Sequence, residues 1–264
     1  MKQKIKDALY SARWALTEAI DNDKYNLLAT VVDRVGEAQS LLADEDVAPS
    51  HEEPPAIIPE ILEGDFHEPK FVEVPGVSFK KWKYKNGTFD VLLWHYTVTK
   101  SDAKTAVGVL KGLAKRGLGC MVMDEDGVIY IPKGFNIFTD AAAHAGLSKW
   151  NGFSGLNSYA AGIEVCNLGK LDSKTKKLAR GVRSSKGEAN IIKGEYEPYT
   201  AKQESELFNF AKWAKSKNPR FKFENLCGHD EVRALAGQPG GKSDPGASLS
   251  MTMPKARALL LKKG

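Results

Sequence analysis

Cysteine is scarce in this 264-residue chain, and the three present, Cys120, Cys166 and Cys227, are dispersed with no C-x-x-C pair. That excludes a disulfide framework and fits synthesis in a reducing compartment. Long apolar runs are missing too: none approaches the ~20 residues a membrane-spanning helix needs. The N-terminal "MKQKIKDALYSARWALTEAI" lacks the uncharged core and small-residue cleavage site of a secretory leader. Export by a standard leader is therefore not expected. Lys and Arg are absent from "DEDVAPSHEEPPAIIPEILEGDFHEP" at 44–69, which carries nine carboxylates. With +5 overall against −9 there, the remainder of the chain holds a net charge of +14. A body that basic favours an anionic partner, whether nucleic acid, an anionic membrane or a bacterial wall polymer. The 42% apolar content indicates a globular protein.

The chain divides where its composition changes. Ile5, Leu9, Ala12, Leu16 and Ile20, then Leu28, Val31, Val32, Val35 and Leu42, repeat at helical spacing on either side of a "DND" turn. They predict a helical hairpin over 1–43, too small to bury its own apolar stripe and so expected to dock or self-associate. Residues 44–70 read as an acidic, proline-stiffened linker in which His51 and His67 are solvated. From 71 to 264 strands and helices mix. "FDVLLWHYT" reads as a buried strand. "SDAKTAVGVLKGLAKRG" reads as a helix capped by Ser101 or Asp102 and stopped at Gly117. "CMVMDEDGVIYI" is a hairpin turning at Gly127 and "AAGIEVCN" a further strand. "TAKQESELFNFAKWAKSKNP" is an amphipathic helix, and "MPKARALLLKKG" starts a last one with Pro254 in its first turn. The pattern predicts an α/β domain with a mixed central sheet and helices on its faces.

Three histidines stand outside the linker, each in an unusual context. His95 ends the buried strand, His144 follows "DAAA", and His229 sits beside a glycine in "CGHDEV", ahead of a loop "RALAGQPGG". In the extended "KSDPG", Lys242 and Asp244 project to the same side. Two imidazoles and a carboxylate, with water as a fourth ligand, make a catalytic zinc site; His95, His229 and Asp244 supply such a set. A single histidine is more often a surface or satisfied core residue. Glu164 lies mid-strand between Ile163 and Val165, and a carboxylate there is costly to bury without a partner. It is either an edge-strand residue facing water or a general base of raised pKa.

"WHYT", "AAHAG", "GIEVCN", "YTAKQ", "GHDEV" and "KSDPG", in that order, resemble the zinc-dependent N-acetylmuramoyl-L-alanine amidases of the type 2 family. That family includes phage-lysozyme amidases, muropeptide-recycling amidases and peptidoglycan recognition proteins. The resemblance spans about 75–250 and implies the family's α/β fold, a Zn2+ cofactor and peptidoglycan as substrate. It implies His95, His229 and Asp244 as metal ligands, Glu164 as catalytic base, Lys242 as oxyanion stabiliser and His144 as a substrate-binding pocket residue. The phage-lysozyme branch carries a catalytic Tyr seven residues before the hairpin Asp-Gly. Here Gly119 stands there with Cys120 beside it, so catalysis falls to Glu164 and Lys242. The Lys-rich insertion at 170–194 is longer than the resemblance leads one to expect, and the hairpin at 1–43 has no counterpart in it.

The competing class is a non-catalytic peptidoglycan-binding module, which typically lacks the third ligand; Asp244 and Lys242 favour the enzyme. Nucleic-acid binding would use the same basic insertion, but the chain has neither a glycine-aromatic RNA motif nor zinc-finger spacing. The accessory segment and basic body favour a phage endolysin, made in the bacterial host cytoplasm without a signal peptide and acting on the wall after release. A cytoplasmic recycling amidase and an antibacterial effector are the other settings.

Overall fold

The computed structural model describes residues 66–185 and 192–262. The expected hairpin over 1–43 and nearly all of the acidic linker lie outside the described residues. The first strands are β1 (Phe71–Val74), β2 (Lys81–Lys83) and β3 (Val91–Tyr96), followed by helix α1 (Ala103–Lys115). Short strands β4 (Met121–Met123), β5 (Ile129–Pro132), β6 (Asp140–Ala142), β7 (Lys149–Trp150) and β8 (Phe153–Ser154) lead to β9 (Ala160–Val165). After β10 (Arg183–Ser185) and β11 (Gly194–Tyr196) come α2 (Ala201–Lys217), β12 (Leu226–Gly228), α3 (His229–Leu235) and α4 (Met253–Lys262).

Among the described residues one six-stranded sheet dominates, ordered β1-β5-β4-β9-β3-β12. Its β4–β5 pair is antiparallel and the rest run parallel. This is the mixed α/β architecture expected. The period-2 alternation of β3 explains how the sheet is covered. Leu92, Trp94 and Tyr96 face a core shared with Leu207, Phe208 and Ala211 of α2. Val91 and Leu93 face the opposite side, packed with Cys227, Trp150 and Val232. Further along that sheet, Ala106, Leu110 and Leu113 of α1 pack on Val122 and Tyr130. Helices thus lie on both faces of the sheet.

Local chemistry sets the helix ends. Asp102 caps α1, its Oδ1 accepting from the Thr105 N–H at 2.8 Å. Thr200 and Gln203 form a reciprocal capping box at the start of α2. Gln203 is fully buried and also donates to the Cys166 carbonyl at 2.9 Å, tying α2 to the end of β9. Two expectations shift. The chain joins the domain before residue 71: Pro69 is buried and the His67 N–H donates to Asn209 Oδ1 at 2.9 Å, although His67 itself stays exposed as expected. The loop expected from Arg233 begins later, because α3 runs through Leu235. No described helix is long and apolar enough to cross a membrane.

Candidate active site

His95 is the fifth residue of β3 and continues the Val91–Leu93 face, so its ring leaves the sheet beyond a packed apolar patch. On the neighbouring strand β12 the chain turns directly into α3, whose first residue is His229. That turn is clamped. Glu231 accepts from the Gly228 N–H at 3.0 Å, and Arg257 of α4 grips the same carboxylate through both terminal nitrogens at 2.8 Å. Asp244 returns from the following loop, its carbonyl accepting from the Asp230 N–H at 2.9 Å. The three side chains meet out of water, with exposures of 1% for His95, 4% for His229 and 6% for Asp244.

Their geometry is unusually specific. His95 Nδ1 lies 2.9 Å from His229 Nδ1, and both nitrogens lie 3.0 Å from Asp244 Oδ2. The outer nitrogens are engaged elsewhere. His144 Nε2 is 2.9 Å from the Ala160 carbonyl, which can only accept, so His144 carries its proton there. Its Nδ1 then accepts from His95 Nε2 at 3.1 Å. His229 Nε2 faces the Ala145 carbonyl at 3.3 Å. Burial, reinforced by the neighbouring His229, pushes His95 down to about 4. Burial, reinforced by His95, pushes His144 down to about 3. Both are neutral at pH 7, each with one N–H, and those protons point away from the cluster. Three lone-pair donors therefore converge on one point, and only a shared positive charge, a proton or a metal ion, holds them there. Burial would raise the Asp244 carboxyl, but the facing His229 and His95 outweigh it and keep the group well below the usual carboxylate range. Two imidazole nitrogens and a carboxylate oxygen suit zinc.

Beside the cluster is a cavity of about 370 Å³, lined by His144, Glu164, His229, Lys242, Asp244 and Arg116, with Val98, Val109, Leu113 and Leu118 as its apolar wall. All six residues singled out in the sequence border this one space or the cluster at its edge. Glu164 is not on a sheet edge. Strand β9 runs between β4 and β3, and Glu164 stands in register with His95 on the same face. Burial first, then the Asp244 charge, raise its carboxyl to about 8, against the opposing pull of Lys242 and Arg116.

Other contributors were not legible. Arg116, just past the end of α1, reads in sequence as an ordinary basic helix terminus. Val98 adopts φ 58 and is exposed on the cavity wall, a costly backbone for a β-branched residue. Nothing in "HYTVTK" marks it. Gly162 carried a signal, a glycine inside a strand. A Cβ there would sit 2.4 Å from His144 Nδ1, so its absence lets the imidazole lie against the strand.

A family model described as N-acetylmuramoyl-L-alanine amidase matches residues 85–247. No curated protein matches the sequence significantly. Among solved structures the chain is similar to a selenomethionine derivative of AmpD, at 18% identity over 73% of this chain and 94% of that one, with TM-score 0.46. It is similar to the endolysin N-acetylmuramoyl-L-alanine amidase LysCS from Clostridium intestinale URNW, at 20% identity over 75% and 99% of the two chains, with TM-score 0.46. It is also similar to the Escherichia coli N-acetylmuramyl-L-alanine amidase AmiD, solved with anhydro-N-acetylmuramic acid-L-Ala-D-gamma-Glu-L-Lys. That match has 24% identity over 60% of this chain and 52% of that one, with TM-score 0.41.

Proposed function

Because the chain belongs to the N-acetylmuramoyl-L-alanine amidase family and is an enzyme of that class, we propose that it works as a zinc hydrolase on peptidoglycan, with His95, His229 and Asp244 as ligands. The bond cut is the amide joining N-acetylmuramic acid to L-Ala. The observation that carries the metal reading is the convergence of His95 Nδ1, His229 Nδ1 and Asp244 Oδ2, with the outer nitrogens of the two imidazoles facing His144 Nδ1 and the Ala145 carbonyl. Bound there, zinc would polarise the scissile carbonyl and lower the pKa of a water toward ~7.

The chain's own residues then divide the work. Burial raises the Glu164 carboxyl above the ordinary carboxylate range, and in its ionised form it is a better proton acceptor than an ordinary carboxylate. It takes the proton of the attacking water and hands it to the leaving L-Ala amine. Lys242 lies on the cavity wall and offers an ammonium to the negative charge that develops on the carbonyl oxygen. The apolar side formed by Val109, Leu113 and Leu118 limits water around the reacting amide, which strengthens both effects.

The biological setting we assign is a phage endolysin that reaches the wall after release. It is supported by the acidic stretch at 44–69 that sets residues 1–43 apart from a strongly basic remainder. Elemental analysis of protein purified without chelator should return one zinc per chain, and chelation should abolish release of stem peptides beginning with L-Ala. Stoichiometric zinc in a His229→Ala, Asp244→Ala double variant would overturn this ligand set.

A further inference from the structure

One dipeptide supplies the outer partner of both imidazoles. The His144 side chain faces His95 Nε2 at 3.1 Å, and the carbonyl of the next residue, Ala145, faces His229 Nε2 at 3.3 Å. The dipeptide is itself fixed from behind: the backbone N–H groups of His144 and Ala145 both donate to Asn157 Oδ1, at 2.8 and 2.7 Å. An imidazole is an ambiguous partner, able to give or take a proton at either nitrogen. The ambiguity is removed one step further out, where the Ala160 carbonyl binds His144 Nε2 at 2.9 Å and leaves Nδ1 only the role of acceptor. The bare Cα of Gly162 leaves the ring room at that position.

We propose that His144 and Asn157 are positioning residues that set the tautomer and ring orientation of His95 and His229 before any metal arrives. In this arrangement Ala160 O holds the His144 proton, His144 Nδ1 takes the His95 Nε2 proton, and His95 Nδ1 is left bare toward the cluster. Asn157 holds the Ala145 carbonyl where it does the same for His229. Both nitrogens of His144 are thus engaged within the protein. The inference rests on the metal reading given above, because a fixed tautomer matters to a ligand that must present a lone pair.

The test uses the full chain. Zinc affinity is measured by chelator competition, and the protonated nitrogen of His95 and His229 is read from long-range 15N–1H correlation in the metal-free protein. The wild-type chain should carry the His95 and His229 protons on Nε2. His144→Leu and Asn157→Leu should weaken zinc binding ~10–100-fold, the usual scale for losing such a partner, and His144→Leu should let His95 populate both tautomers. His144→Asn places an amide oxygen near the position of Nδ1, and Asn157→Asp keeps a side-chain acceptor; each should recover most of the affinity. A neutral wild-type His95 with its single proton on Nδ1 and Nε2 bare would overturn the proposal, whatever the variants do. Equal loss in the Leu and Asn variants with an unchanged His95 tautomer would also overturn it, by reducing His144 to packing. Failure of the wild-type chain to bind zinc would instead strike the metal reading, and the tautomer measurement would still decide this one.

Discussion

Glu164 and Lys242 are the side chains on which turnover should depend without any loss of metal. Glu164→Gln keeps the size and removes the proton acceptor, so zinc content should hold while initial rates on a muramoyl-peptide fall by ~10²-fold or more. Lys242→Ala should cost ~10²–10³-fold, the scale of a missing oxyanion donor. Near wild-type turnover in zinc-loaded Glu164→Gln would move the base role elsewhere. No tyrosine can compensate from position 119, and the reason is steric: a Cβ on Gly119 would fall 2.3 Å from the Phe79 ring, which fills the place a side chain would need. His95, His229 and Glu164 stand out in the sequence because each has an unusual local setting: a histidine late in an apolar strand, a histidine beside a glycine and a carboxylate mid-strand. Lys242 and Asp244 stand out instead through their shared side in "KSDPG" and the resemblance that motif carries. The partners that orient them do not. Asn157 and the carbonyls of Ala145 and Ala160 are ordinary residues in the sequence, and only the folded chain brings them against an imidazole.

Short elements explain most of what sequence periodicity left unread. β3, β9, α1 and α2 are long enough to show a period or carry caps, and they lie where expected. β12 has three residues and α3 seven, less than two helical turns, so neither displays a pattern. Yet this junction presents His229, and its order depends on Arg257 reaching from α4 into a nearly buried pair with Glu231, side chains 12% and 6% exposed. Arg257→Met leaves that carboxylate without its cation, and denaturant unfolding should show a loss of ~3 kcal/mol, the lower end for breaking a buried pair. Zinc binding should weaken with it; an unchanged unfolding midpoint would show that the clamp contributes nothing. A second element pair carries a pH signature. Asp140 on β6 meets Lys81 and Lys83 of β2 at 2.6 and 2.7 Å. Burial alone would raise its carboxyl, but those hydrogen bonds and the Asn136 N–H outweigh burial and hold it at about 2. A depressed carboxylate stabilises the fold above its unfolded pKa and loses that contribution as pH falls through the folded value. The Asp140 contribution should be complete above pH ~4 and gone below ~2. Allowing for solvent around the exposed lysines it amounts to about 1–2 kcal/mol. Comparing urea unfolding of wild type and Asp140→Asn across that interval measures it, and a pH-independent difference between the two would contradict the assignment.

At the scale of the whole chain, charge is divided by segment, with nine carboxylates and no Lys or Arg at 44–69 against a basic remainder. The basic insertion after β9 could have been a grip for nucleic acid. Three of its cations are instead committed within the domain: Lys176 pairs with Glu195, Arg180 with Glu125 and Glu197, and Arg183 with Glu204. These pairs tie the described part of the insertion to β11, α2 and the β4–β5 turn. Attraction to the wall then has to come from the remaining basic surface, from the segment before residue 66, or from both. We propose that residues 1–43 target the wall or another partner and that 44–65 act as the tether. The two sources separate in one comparison. A chain beginning at Phe66 keeps the buried Pro69 and the His67 contacts to α2, so it should retain the fold, bind zinc and cleave soluble muropeptides at the full-length rate. Its binding to intact sacculi should fall, and more salt should be unable to reproduce the loss, because screening acts on the basic domain in both chains alike. Sacculus pull-down at low and high salt, with soluble-substrate rates as the control, measures this. Equal sacculus binding by the two chains would place wall attraction in the catalytic domain alone and leave residues 1–43 without a targeting role.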